Sequence, residues 1–434
     1  MPLMNILPQT SILAAALILV LVQFVAAMPW LYAISPKGFR ETLRSPSAIA
    51  TYIIGLIAVT LAVSFFMSYR GQSDSLKTFG RAYAFALHLQ LIFDFFIVVP
   101  ALLTLVWPKG GAVALATFRE GWRQPMFWLL SFFGLIAILI SIVIPYYTFG
   151  DDYKFMKSIG YDFIMLFSAL FGILASSISI SEEIEGRTAV TLMSKPVNRR
   201  HFLIGKFLGI LLACFAMSML LLLVFVPALW VMPAFDKINQ VEDSLVIQTQ
   251  EYLLPSDGFK ATDEFRNDPT RRFWSFLTNM PSNPGKKMAE GIGLWFSETF
   301  AHGIGVILGF GQVSILVAIA TALATRLPFV VNLVLSLTIY FAGNLAPVVV
   351  RVTESMAAKN KGTAIGLVNF MGRISDALLP AFEHFKMNTA IIRETPLDLG
   401  QFFWYVVSVC GYSLIYTVIA LIVGLILFED RDLA

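Results

Sequence analysis

The chain has 434 residues, 57% of them hydrophobic and only 14% charged. Soluble globular domains carry about 25% charge, so a string of soluble domains is excluded, and so is a disordered chain. The 31 basic and 28 acidic side chains leave a net charge of +3, too small an excess to imply a polyanionic partner. Cys214 and Cys410 both sit in apolar runs and read as small hydrophobes rather than a disulfide or a metal site. His88, His201, His302 and His384 show no ligand spacing.

A membrane span needs roughly 20 apolar residues to cross a hydrocarbon core about 30 Å thick. Nine segments qualify in chain order: 9–34, 48–69, 86–107, 126–147, 162–180, 204–233, 300–323, 328–350 and 403–428. The first has no basic start and is followed by further spans, so it reads as an anchor rather than a signal peptide. Trp30, Trp107, Trp230 and Trp404 fall at span edges, as an interfacial aromatic belt requires. Short loops carry Lys37, Arg40 and Arg44, then Lys109, Arg119 and Arg123, then Arg187, Lys195, Arg199, Arg200 and Lys206, then Arg326. Nine spans put all of these on one side, which the positive-inside rule makes cytoplasmic. The N-terminus is then external and the C-terminus cytoplasmic. Arg70, Lys77 and Arg81 count against this arrangement, and loss of the first span would move the N-terminus inside.

Two loops on the external side are long, 234–299 and 351–402. Phe265, Phe273, Trp274, Phe276, Leu367 and Phe370 would be costly to leave wet, which favours a partly ordered cap over solvated linkers. Thr353–Phe370 has helical character. Charge within the spans is scarce. Asp94 lies deep in the third span, where polar packing is the plainer reading and a functional role the sharper one. Asn344, beside Gly343 and near Pro347, points to a local break in the eighth span. Glu298 and His302 are four apart and share a helical face, which fits an interfacial pair better than a catalytic or metal site. An ion-driven carrier places carboxylates in its core, and their scarcity implies an energy source elsewhere.

Two cytoplasmic segments are more structured than a linker needs to be. In Ala112–Pro125, Leu115, Phe118 and Trp122 form one apolar face, Arg119 and Arg123 reach towards headgroups, and Pro125 ends the helix. This predicts an amphipathic helix at the membrane surface. In Ser181–Lys206, acidic Glu182, Glu183 and Glu185 come first. Thr188 then caps a short helix carrying Leu192 and Met193. Lys195-Pro196 ends that helix, and Arg199-Arg200 opens the next. An apolar tip between charges suits docking, with burial at the tip and register set by charge. Topogenic charge alone would explain the arginines but not the acidic start.

Phe118–Pro125 and Glu182-Glu-Ile-Glu-Gly-Arg-Thr-Ala-Val-Thr-Leu-Met-Ser-Lys-Pro-Val-Asn-Arg-Arg-His-Phe-Leu-Ile-Gly-Lys206 resemble segments of ABC-2 type transporter permeases. The nearest branch is the one linked to copper-enzyme maturation. The ending Leu427–Leu433 is similar too, and the resemblance covers roughly residues 110–434. It implies an all-α polytopic membrane protein with a six-span permease core. Three additional spans precede that core, and both external loops are enlarged.

The resemblance divides the chain into a three-span region (1–108), an elbow helix with three core spans and the coupling region (109–233), an external loop (234–299), two core spans (300–350), a second external loop (351–402) and a last span with its tail (403–434). The elbow helix would carry Leu115, Phe118, Arg119, Trp122 and Arg123. Coupling to a separate ATPase would involve Glu182, Glu183, Glu185, Gly186, Thr188, Leu192, Met193, Pro196, Arg199 and Arg200. A second permease copy completes the implied assembly, in a bacterial inner membrane, with room for an external accessory protein. The resemblance itself leaves the cargo and its direction open.

The chain shows no nucleotide loop of its own, since Gly205-Lys206 runs into Phe207 and a membrane helix. ATP and Mg are therefore expected in the partner, and no cofactor or metal in this chain. Rival readings are a non-transporting scaffold or sensor whose external loops recruit a partner, and a membrane-embedded enzyme. No tight constellation of catalytic residues supports the second.

Overall fold

The computed structural model describes residues 10–71, 75–144, 152–185, 198–232, 284–359, 370, 380–386 and 399–429. Every regular element among them is helical. In order they are α1 (Thr10–Ile34), α2 (Pro36–Arg44), α3 (Pro46–Arg70), α4 (Ser75–Val106), α5 (Pro108–Arg123), α6 (Pro125–Ser141), α7 (Asp152–Ser176), α8 (Arg199–Val231), α9 (Pro284–Ala324), α10 (Phe329–Lys359) and α11 (Leu399–Glu429). A π-helical turn, Ser177–Glu182, and one further turn, Glu183–Glu185, extend α7. A 3-10 turn spans Phe382–Phe385.

Among the described residues, eight helices are long and apolar enough to cross a membrane, and nine if α5 and α6, bent by 59°, count as one broken span. They coincide with the nine segments read from hydropathy. The protein is an all-α polytopic membrane protein. Two differences from the sequence reading stand out. Residues 284–299, assigned to a loop, begin the 41-residue α9. The expected break at Asn344 is absent, because α10 runs through Gly343, Asn344 and Pro347 to Lys359. The Asn344 side-chain amide donates to the Tyr340 carbonyl at 2.9 Å, one turn back, so the polar group is satisfied inside the helix. Of the Thr353–Phe370 stretch, Thr353–Lys359 is the end of α10. Phe370 is exposed, and the other aromatic and leucine cap residues lie outside the described residues.

The chain divides into two compact units, with boundaries inside α4 and α9. The N-terminal unit joins Met1–Ala101 to Gln240–Ala301. Its apolar centre is Ile12, Ala16, Met67 and Met288, flanked by Leu19, Val63, Phe66, Tyr83 and Ile292. The start of α9 crosses α4 where both backbones lack a side chain. A Cβ on Gly80 would lie 2.3 Å from the Met288 carbonyl oxygen, and one on Gly291 would lie 2.1 Å from that of Lys77. Lys77 pairs with Glu290 at 3.4 Å, so the basic 70–85 segment and the start of α9 share one side of this unit. Asp94 is buried and accepts from the Gln90 amide at 3.1 Å, one turn before it on α4. The structure thus gives Asp94 a polar-packing partner. Most other side chains of α1 and α3 remain exposed, as expected of lipid-facing helices.

The larger unit joins Leu102–Asn239 to His302–Ala434. Its interior is built on α7, α8 and the His302–Ala324 part of α9. The spanning windows of these three are each 67% buried. Helices come close through small residues: Gly172 against Cys214 and Val317, Gly160 against Phe225, and Gly424 against Ala322. Polar groups inside this interior are paired between helices, with Ser168 and Ser218 at 2.8 Å and Ser314 and Thr417 at 3.1 Å.

Candidate functional site

The candidate site is the foot of the 186–197 segment, in the larger unit. The segment itself, with Gly186, Thr188, Leu192, Met193 and Pro196, lies outside the described residues, as do the side chains of Glu182 and Glu185. Its two anchoring ends are described in detail.

At the first end, α7 changes from α to π geometry at Ser177. π-turns insert an extra residue into a helix and collect at functional positions. Here the inserted turn is held by cross-helix hydrogen bonds. Ser181 donates to the carbonyls of Ala324 and Leu327 at 3.4 and 3.2 Å. Asn332, fully buried on α10, donates to Ser177 Oγ at 2.9 Å and to the Ala320 carbonyl at 3.1 Å. Its own oxygen accepts from Ser336 at 3.2 Å. The turn is thereby tied to both α9 and α10.

Beside it lies Lys206, on the second turn of α8 and only 5% exposed. Its Nζ reaches Glu183 Oε1 at 2.5 Å, Ser179 Oγ at 2.8 Å and Glu120 Oε2 at 3.6 Å. A buried ammonium is tolerated only with close counter-charge and hydrogen bonds; Glu183 and Ser179 supply the hydrogen bonds, and Glu120 adds a second counter-charge. One side chain therefore clamps α8 to the π-turn and to α5.

The α5–α8 contact is a seam of small residues. Gly110, Ala114, Thr117 and Gly121 of α5 are buried, and Gly205, Gly209 and Ala213 of α8 face them. A Cβ on Gly209 would sit 2.5 Å from the Ala114 carbonyl oxygen, and one on Gly205 would sit 2.9 Å from that of Gly110. Small residues at four-residue spacing let helix backbones approach this closely. A helix is present where one was expected, but it begins at Pro108 and its deepest face is this glycine-alanine stripe. Phe118 is buried while Leu115 and Trp122 are half-buried. The reason is geometric: where two backbones touch, bulky side chains are pushed to the flanks. Trp122 packs on Phe127 and Trp128 at the bend into α6. Arg119 and Arg123 are exposed.

At the second end, Arg199 opens α8 and donates to the Phe428 and Glu429 carbonyls at 2.5 and 2.7 Å. Arg326 donates to the Leu427 carbonyl at 2.7 Å. These are the orphan carbonyls of the last turn of α11, and cations suit that helix end. Arg200 lies 3.5 Å from Glu429. Of the two arginines read as docking charges, Arg199 is thus occupied inside the chain and Arg200 is exposed.

The family model for ABC-2 family transporter proteins matches residues 122–254. Over those residues the chain is similar to ABC-2 family transporter proteins. The match takes in α6, α7, the π-turn, the 186–197 segment and α8, and it names no branch of the family. No curated protein and no solved structure matches the chain. The matched family is one of transporter proteins.

Sequence reasoning read Lys206 as topogenic charge and as no part of a nucleotide loop, not as a buried clamp, and it missed the roles of Glu120, Ser177, Ser181 and Asn332. The signal that was available is the spacing Gly205-x-x-x-Gly209-x-x-x-Ala213. Among the described residues no three metal-binding side chains cluster. His302 is engaged by Tyr161, with Nδ1 and Oη 2.5 Å apart. The Glu298 side chain lies outside the described residues.

Proposed function

We propose that this chain is the membrane half of an ATP-driven transporter, in which a separate cytoplasmic ATPase docks on residues 182–206. The Lys206 clamp carries this reading. It joins the root of the proposed docking segment to α5, α8 and the π-turn, so force applied to the segment is passed to three elements at once. Leu192 and Met193 form the apolar tip. Glu182, Glu183, Glu185 and Arg200 set charge around it, with Gly186, Thr188 and Pro196 shaping the turn. ATP and Mg reside in the partner, and this chain needs no cofactor.

Two permease copies pair in the bacterial inner membrane, with the N-terminus external and the C-terminus cytoplasmic. That orientation puts Lys206, Arg199, Arg200 and Arg326 on the cytoplasmic side. An external accessory protein would meet the N-terminal unit or the long loops. The test is co-purification with the cognate ATPase in nanodiscs. Leu192→Asp should abolish association and stimulated ATP hydrolysis while leaving the permease folded. Full coupling in that variant would overturn the docking assignment.

A further inference from the structure

The larger unit has a second feature, along the middle of α9, away from the Lys206 clamp. A cleft of about 300 Å³ opens between α7, α9, α10 and the 3-10 turn. Its floor includes Gln312, only 4% exposed. Among the described residues nothing hydrogen-bonds the Gln312 amide, although the side chain lines the cleft. The residue is held by packing while its amide opens onto the cleft, free to hydrogen-bond what enters. Asp162 and Lys386 line the same cleft and are exposed, placing one negative and one positive charge at its mouth.

Lys386 is held there by its neighbours. Phe382 packs on Gly343 and Phe385 on Gly311, and Ala381 N–H donates to the Tyr412 hydroxyl at 3.0 Å. Glu383 pairs with Arg351. Much of the remaining wall is aromatic, and Phe341 of α10 both lines the cleft and is 60% exposed. Leu345, one turn further along α10, is 59% exposed, so the cleft is continuous with an apolar, lipid-facing stripe.

We propose that this cleft binds the headgroup of a zwitterionic phospholipid bearing a primary amine, of the phosphoethanolamine type. The ammonium meets Asp162 and the Gln312 carbonyl oxygen, the phosphate meets Lys386, and an acyl chain runs over Phe341 and Leu345. An anionic headgroup without an amine leaves Asp162 facing like charge. A quaternary ammonium has no N–H to give the Gln312 oxygen. The volume is at the small end of ligand pockets and suits a headgroup whose chains stay in the bilayer. This proposal does not rest on the docking of an ATPase.

The test titrates the purified chain in detergent with phosphatidylethanolamine, phosphatidylcholine and phosphatidylglycerol of matched acyl chains, read by native mass spectrometry. The expected result is a preference of roughly tenfold for the ethanolamine lipid, the scale of one charged hydrogen bond. Asp162→Asn, an exposed and structurally mild change, and Gln312→Leu should each erase that preference, with unfolding temperature checked for both. Equal binding of the three lipids by the unmodified chain would overturn the proposal. So would an unchanged preference in either folded variant. Water-soluble phosphoethanolamine should bind far more weakly than the lipid. If it binds as tightly, the occupant is a free zwitterion and the lipid assignment fails.

Discussion

The two units of this chain solve the membrane problem in opposite ways. In the N-terminal unit the spanning windows of α1, α3 and α4 are only 17%, 11% and 11% buried, and tight packing concentrates at one crossing, Gly80 on Gly291. In the larger unit α7, α8 and α9 are each 67% buried, with small-residue seams and paired polar groups between helices, while α10 and α11, at 12% and 28%, stay near the N-terminal values. Lipid is as apolar as leucine, so helices gain little by merely being hydrophobic. Close backbone contact and satisfied polar groups are what distinguish a mechanical core from a set of anchors. Most of the family match, residues 122–239, and the Lys206 clamp fall in the larger unit.

Substitutions can break or sharpen this contrast. The largest effect is expected from Gly209→Leu, which drives a side chain into the Ala114 backbone. The cost should exceed about 3 kcal/mol, and no monodisperse protein should survive size-exclusion chromatography. Gly55→Leu in α3 meets nothing within 4 Å and should leave stability within about 0.5 kcal/mol. If both substitutions behave alike, the contrast between units is wrong.

Next comes Glu183→Ala, which strands the buried Lys206. We expect a loss of about 3 kcal/mol in denaturant unfolding. Glu120→Ala, at 3.6 Å with a side chain 47% exposed, should cost no more than about 1 kcal/mol. Asn332→Leu removes the bonds to Ser177, Ala320 and Ser336 and should cost about 1–3 kcal/mol, with faster hydrogen exchange at the π-turn. The smallest effect belongs to Lys77→Ala in the N-terminal unit. Its pair with Glu290 should contribute about 0.2–1 kcal/mol, fading as salt is raised.

The spans were legible because hydrophobic length is a local property. So was the helix before α6, from its charges and from Pro125. The Lys206 clamp was not, since Glu183 and Glu120 are remote in sequence and only folding brings them to one ammonium. Asn344 misled because a glycine, an asparagine and a proline read as helix-breaking chemistry. In a membrane helix the amide simply bonds one turn back. Asp162 was passed over because it falls at a span edge, and its place beside Lys386 depends on a 3-10 turn far along the chain.

The π-turn at Ser177–Glu182 accommodates one residue more than a regular α-helix would. An α-helix turns about 100° and rises about 1.5 Å per residue, so release of the surplus residue would swing the chain beyond it by one such increment. Movement of that kind is quantised: intermediate positions leave Ser181 with neither Ala324 nor Leu327 to hold. Deleting Ile178 would lock in the advanced position, and spin labels at 198 and 327 would report a single new distance rather than a spread.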